Sequence, residues 1–326
     1  CYVGWVPGGM IEITAMDPLL GPVFYRLDSR KNGHQPHIVR SDDCLSCHSG
    51  SRTGGVPGML VRSVHSDADG FPIFSAGTFQ TDHRSPLHER WGGWYVTGEN
   101  AGRRHLGNLI FKAEKNGKAL VATDNGAALA DLKEIIDSDA YLTPRSDIVA
   151  LMVLEHQVLA HNEITKAHFN TRKWIHYQRS MARHFGEPEE HLSDSTRKLI
   201  DRQASDLLRV LFFIDETPLE DWGVEGHESF QRVFLSRAKT SASGRSLRDF
   251  QLLSRLFKHR FSYMIHSKAF EALPTTFKTI FYEKMWQVLN GKGPEETYGH
   301  LKASTSRRII EILREHQADL PACWKP

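Results

Sequence analysis

The stretch "PRSDIVALMVLEHQVLAHNEITKAHFNTRKW", residues 144 to 174, divides the chain into two kinds of sequence. Ser146 or Asp147 caps its start, and apolar residues then recur at three- and four-residue intervals, the period of an amphipathic helix. Downstream, "SDSTRKLIDRQASDLLRVLFFID", "SLRDFQLLSRLFKH", "TTFKTIFYEKMWQVLNG" and "STSRRIIEILREH" repeat that pattern, and Gly291 stands where a helix C-terminus would stop. The expectation is five or six helices packed into one bundle-like body.

Upstream, Gly, Pro, Thr and aromatic residues interrupt short apolar runs, which reads as strands and loops. Residues 60 to 79 read as a hairpin, with Leu60 to Val64 outward, Asp67 to Gly70 turning, and Ile73 to Phe79 returning. "GGWYVTG", residues 92 to 98, and "GNLIF", residues 107 to 111, read as further strands. The fold class expected is therefore mainly α with a loop-rich, partly β N-terminal segment. The division falls into residues 1 to 145 and an α-helical body, residues 146 to 326, packed against it as one cooperative unit.

Composition sets the limits. The chain has 326 residues, 40% of them hydrophobic and 25% charged, so it can bury a sizeable core and is not a disordered tract. With 41 basic and 39 acidic residues, the net charge of +2 gives no field that selects nucleic acid or an anionic membrane. No run of about 18 apolar residues occurs, so no transmembrane segment is expected. The first residues show no signal-peptide pattern, so any export signal is expected to have been removed.

One motif carries chemistry. In "RSDDCLSCHSG", residues 40 to 50, Cys44, Cys47 and His48 spell C-x-x-C-H, the attachment signature of c-type haem. Two thiols at i and i+3 can each add to one porphyrin vinyl group, while the adjoining histidine reaches the iron from the proximal face. A thioredoxin-like dithiol would need a βαβ setting, and a zinc site would need a second ligand pair at finger spacing. Neither pattern accompanies residue 44. The cofactor expected is one covalent haem c, bound through Cys44 and Cys47 with His48 as proximal ligand.

Covalent haem of this type is attached outside the bacterial inner membrane, so a periplasmic or outer-surface location is expected. That compartment permits disulfides. A Cys1–Cys323 bridge would close nearly the whole chain and restrict the unfolded state by about 5 kcal/mol. It is preferred over a lipid anchor at Cys1, because "YVGWVPGGMIEI" follows that residue with no polar tether.

The far side of the iron is less determined. Met59 follows His48 by eleven residues and the next methionine is Met152, so the usual distal-methionine spacing is missing. Instead "TDHRSPLHERWGGWYVTGENAGRRHLGN", residues 81 to 108, gathers three His, four Arg, two Trp and one Tyr. His83 or His105 is the candidate distal ligand, with Met59 as the alternative. Trp91, Trp94 and Tyr95 are candidates to pack the porphyrin. If the distal site is open, His83, Arg84, Arg90 and His105 are the catalytic candidates, able to polarise a bound O–O or N–O bond. The same string also has a purely structural reading: Arg–Glu pairing, tryptophan in the core, glycine in tight turns.

In these segments the chain resembles a family of exported bacterial monohaem c-type cytochrome proteins, largely uncharacterised. The shared pattern runs from C-x-x-C-H and Gly-Val-Pro-Gly at residues 55 to 58, through Asp82, His83, Ser85 and Pro86, to Glu89 to Gly98 and then His105, Gly107 and Asn108. It continues at "GRSLRD", residues 244 to 249, and "FSYMIHSKAFEALP", residues 261 to 274, and departs at Asn100, where a His-Gly pair is expected. The resemblance implies haem and export and names no substrate. The function expected is electron transfer to a redox protein partner. The alternative is a peroxidase-like or other haem enzyme acting on a small-molecule oxidant.

On the long helix, Glu155 and Asn162 lie seven apart on the face that also holds Ile148, Leu151, Met152 and Leu159. A carboxylate there needs a partner, and an arginine or a backbone amide is the expected one. His156 and His161 on the same helix read as surface or capped histidines.

Overall fold

The computed structural model describes residues 1–27, 37–114, 116, 118–124, 128–220 and 223–325. It is 42% helical and 14% strand, with a β-rich N-terminal part and a mostly helical C-terminal part, so the fold is mixed rather than mainly α. Strands β1 (Tyr2–Trp5), β2 (Ile11–Asp17), β3 (Gly21–Leu27) and β4 (Ile38–Arg40) form one antiparallel sheet in that order. Strands β5 (Arg62–Val64) and β6 (Thr78–Gln80) form one hairpin, and β7 (Leu109–Ala113) and β8 (Ala119–Asp124) another. The helices are α1 (Leu45–His48), α2 (Ile148–Phe185), α3 (Asp194–Leu211), α4 (Glu228–Ser236), α5 (Lys268–Glu271), α6 (Thr275–Leu289), α7 (Glu295–Tyr298) and α8 (Ala303–His316).

The chain forms two compact units, each drawing on both sides of residue 145. One comprises Cys1–Leu60, Leu159–Phe212 and Arg260–Pro326; the other comprises Val61–Val158 and Phe213–His259. Helix α2 belongs to both. Its 38 residues span about 57 Å at 1.5 Å per residue.

In the first unit, α3 turns Ile200, Ala204, Leu207, Leu208 and Leu211 inward, the i, i+4, i+7 pattern of an amphipathic stripe. They meet the core contributed by Phe277, Phe281 and Met285 of α6, with Ile309, Ile312 and Leu313 of α8 also buried. Ser193 caps α3 through the Thr196 amide, and Gly291 follows α6 with a φ of 72°, a conformation only glycine adopts freely. Trp324, 1% exposed, docks its ring on Trp286 and donates from Nε1 to the Tyr282 carbonyl. This docking places Cys323 in an exposed turn, while Cys1 precedes the edge strand β1. Both thiols are exposed and unpaired, so the expected Cys1–Cys323 disulfide is not formed.

In the second unit, the 60 to 79 hairpin pairs Arg62 with Gln80, Ser63 with Phe79 and Val64 with Thr78. Asp67 organises its turn, its Oδ1 accepting from the Asp69 and Phe71 amides. Helix α2 starts as its sequence implies, with Asp147 Oδ1 accepting from the Ala150 amide at 2.9 Å.

Two expected elements are not formed. Residues 92 to 98 are not a strand: their backbone is held by side chains and isolated bridges, with Gly92 N donating to Ser63 Oγ and Val96 exchanging two bonds with the Asn108 amide. Trp91 at φ 65° and Gly93 at φ 81° already break the extended path. Residues 246 to 259 are not a helix. There Phe250 and Phe257 stack at 5.4 Å and 12° across a tight reversal through Leu252, whose φ is 57°. The apolar spacing was real, but it served aromatic stacking.

Candidate functional site

Cys44 closes a 3-10 turn, Asp42–Cys44, and α1 follows it directly. Ser46 Oγ donates to the Asp43 carbonyl at 2.8 Å, and Arg40 pairs with Asp42 at 2.9 Å, which holds the turn on its exposed side. Helical spacing sets Cys44, Cys47 and His48 on neighbouring positions of one short helical face. Cys47 is exposed, Cys44 half-buried, and neither thiol is bonded to another.

His48 is the more constrained residue. Its ring packs on Phe24 at a centroid distance of 4.9 Å, and its Nδ1 lies 2.9 Å from the Gly58 carbonyl. A carbonyl only accepts, so Nδ1 carries a proton, and in the neutral ring Nε2 carries the lone pair. A histidine that ligates a metal commonly has its other ring nitrogen fixed this way. The Gly58 amide returns a bond to the His48 carbonyl at 2.7 Å, so the loop closes on the histidine twice.

That loop is anchored on α2. Asn162 Oδ1 accepts from the Met59 amide at 2.8 Å, and Asn162 Nδ2 donates to the Met59 carbonyl at 2.7 Å. Gly58 is required by close approach, since a Cβ there would sit 2.7 Å from Thr53 Cβ and 3.0 Å from Asn162 Oδ1. Thr53 is buried and its hydroxyl bonds the Val56 carbonyl at 2.7 Å. Sequence reasoning placed Asn162 on the right helix face but did not find its partner, because the contact spans 103 residues.

The competing readings of the cysteine pair lose support locally. The preceding β4 is an antiparallel strand, so no βαβ unit presents the pair as a redox dithiol. Among the described residues, no three His, Cys, Asp or Glu side chains converge as a bare metal ion would need. The residues present fit a covalently attached haem: two unbonded thiols at i and i+3, and an adjoining imidazole whose Nε2 has no hydrogen bond among the described residues.

The other candidate residues belong to the second unit. His83, 3% exposed, sets its Nδ1 3.0 Å from His156 Nδ1 and its ring 5.1 Å from Phe213. Burial, with Arg84 and Arg90 nearby, holds its pKa down to about 3. Arg90 is 2% exposed, and its guanidinium donates to the Ser85 carbonyl, the His83 carbonyl and Glu155 Oε2, the last at 3.0 Å. Glu155 thus finds its arginine; burial still pushes its pKa up to about 7 against the pull of Arg90. Arg84 pairs with Asp82 at 2.6 Å.

His105 is buried edge-on against Trp91 at 5.3 Å, and Trp91 is 1% exposed. Trp94 is 38% exposed and donates from Nε1 to the Arg62 carbonyl; Tyr95 is half-buried. The backbone around them feeds α2, since Thr97 donates to Ser146 and accepts from Ile148. The structural reading of "ERWGGWYVTG" accounts for these contacts: an arginine neutralising a buried carboxylate, a tryptophan in the core, and turns that hold a helix start.

A cavity of about 1000 Å³ lies along the last turns of α2, lined by Trp174, Tyr177, Met181, Phe185, His191 and Leu199 among others. Asn162 and Lys166 meet the attachment loop two or more turns earlier, so this cavity is separate from the motif. No helix among the described residues is long and apolar enough to cross a membrane. No protein-family model, curated protein or solved structure matches the chain.

Proposed function

We propose that this chain is a monohaem c-type cytochrome that passes one electron to a redox protein partner. The observation that carries the reading is the His48 Nδ1 contact to the Gly58 carbonyl beside two unbonded thiols at helical spacing. Cys44 and Cys47 would hold the porphyrin by thioether bonds, and His48 Nε2 would bind the iron. The haem, when bound, supplies a metal that alternates between ferric and ferrous states. The protein fixes the His48 tautomer through Gly58, holds that carbonyl through the Asn162 clamp on Met59, and shields the ring with Phe24. The reading also implies an exported, periplasmic or outer-surface protein, because thioether attachment takes place there, and it accords with the family resemblance of the sequence.

Electron transfer is preferred over small-molecule catalysis because Arg90, the most buried cationic candidate for acting on an iron-bound ligand, is committed to Glu155 and two carbonyls. An absorption spectrum of the purified holoprotein, oxidised and reduced, with and without CO, tests this. Electron transfer predicts low-spin iron in both states and a reduced spectrum that CO leaves unchanged. High-spin iron that binds CO at once would reverse the preference towards an enzyme.

A further inference from the structure

His161 is the histidine that the motif leaves unexplained. It lies on α2 beside Asn162, the residue that clamps the attachment loop, and it shares the compact unit of Cys44, Cys47 and His48. It is 8% exposed, and its Nδ1 is 2.6 Å from Tyr2 Oη, with the two rings edge-on at 5.8 Å. Tyr2 is paired across the sheet with Thr14, and Thr14 with Phe24. Directly opposed residues point to the same face, so Tyr2, Thr14 and Phe24 form one row about 10 Å long on one face of the sheet.

The two ends of that row each touch a histidine. Phe24 carries the ring of His48, and Tyr2 carries the ring of His161. Each histidine has Nδ1 engaged with an oxygen, the Gly58 carbonyl for His48 and Tyr2 Oη for His161. Each therefore leaves Nε2 without a hydrogen bond among the described residues. Helix α2 also brings Thr165 against Gly21 and Lys166 against Gly54, so the same few turns hold the sheet and the attachment loop together.

We propose that His161 is the second axial ligand of the haem iron, its Nδ1–H donating to Tyr2 Oη and its Nε2 facing the metal. This rests on the haem reading above and makes the iron bis-histidine. His83 is engaged with His156, and His105 packs on Trp91. Met59 has both backbone groups held by Asn162. Tyr2 is a positioning residue: its hydroxyl holds the His161 ring through Nδ1, and accepting from Nδ1–H leaves Nε2 for the metal, the arrangement that orients metal-bound histidines.

The test uses the exported holoprotein and its His161→Ala, His161→Met, Tyr2→Phe, Met59→Leu and His83→Ala variants. His161→Ala should turn low-spin iron high-spin, and added imidazole should restore the low-spin spectrum. His161→Met should stay low-spin with a higher reduction potential, since methionine ligation raises it. Tyr2→Phe should keep low-spin iron and raise the potential less. If His161→Ala does not accumulate, the potential of His161→Met decides, and a value equal to the parent overturns the proposal. A low-spin spectrum unchanged in His161→Ala, with conversion to high-spin in Met59→Leu or His83→Ala, also overturns it. Failure of the haem reading is a different result: the unsubstituted protein would carry no covalent haem.

Discussion

Replacing Asn162 by alanine removes two hydrogen bonds at once, to the Met59 amide at 2.8 Å and the Met59 carbonyl at 2.7 Å. Each bond contributes about 0.5–1.5 kcal/mol net, and a backbone group left without a partner costs about 1–3 kcal/mol. Met59 is half-buried, so water can recover part of that loss, and the expected destabilisation is about 2–4 kcal/mol. The effect should concentrate on the attachment loop, because Gly58, which holds His48 Nδ1, directly precedes Met59. Urea unfolding followed by the Soret band and by far-ultraviolet circular dichroism measures it: the Soret transition should move to lower urea by more than the dichroism transition. A shift below about 0.5 kcal/mol by both probes would refute the clamp as the anchor of the loop.

Two further perturbations address the second unit. Arg90→Met leaves Glu155 buried without its cation and should destabilise by about 3–5 kcal/mol in a chemical denaturation experiment; a loss under about 1 kcal/mol contradicts the buried pair. His83 is held near pKa 3 when folded against 6.5 as its ordinary value, so the unfolded chain binds more protons between those values. Stability from this residue is complete above about pH 6.5 and falls as pH drops towards 3, with a slope approaching about 1.4 kcal/mol per pH unit. Urea midpoints at pH 7 and pH 5 should show the loss, and His83→Phe should flatten it; an equal slope in the variant rejects the assignment.

Much of the architecture was legible because local chemistry decided it. The Asp147 cap, the Ser193 cap and the Gly291 stop mark helix ends by side-chain or glycine geometry that needs no distant partner. The turn of the 60 to 79 hairpin was legible for the same reason, Asp67 building it from its own neighbours, but the expected return strand is strand only from Thr78, with Phe74–Ala76 in a 3-10 turn. Residues 92 to 98 were misread because Ser63 and Asn108, outside the segment, hold their backbone. Residues 246 to 259 were misread because a helical spacing of Phe and Leu also suits two aromatic rings stacking across a reversal.

The site divides along the same line. Cys44, Cys47 and His48 are contiguous and were readable. The carbonyl that fixes His48 is ten residues away, and the asparagine that holds the loop is 103 residues from it. His161 read as a surface or capped histidine, but it is buried with Tyr2, 159 residues away, on its Nδ1. Glu155 was the informative exception: a carboxylate in an apolar stripe announced that a cation must come, though not that it would be Arg90.

Covalent haem on Cys44 and Cys47 is decided by the intact mass of the protein made in cells with c-type haem maturation, alongside acid-acetone extraction. Thioether attachment gives a denatured chain heavier by one haem that keeps its colour through extraction, and the added mass is lost in the Cys44→Ser, Cys47→Ser double variant. A mass equal to the bare polypeptide, or colour that passes wholly into the organic phase, contradicts it.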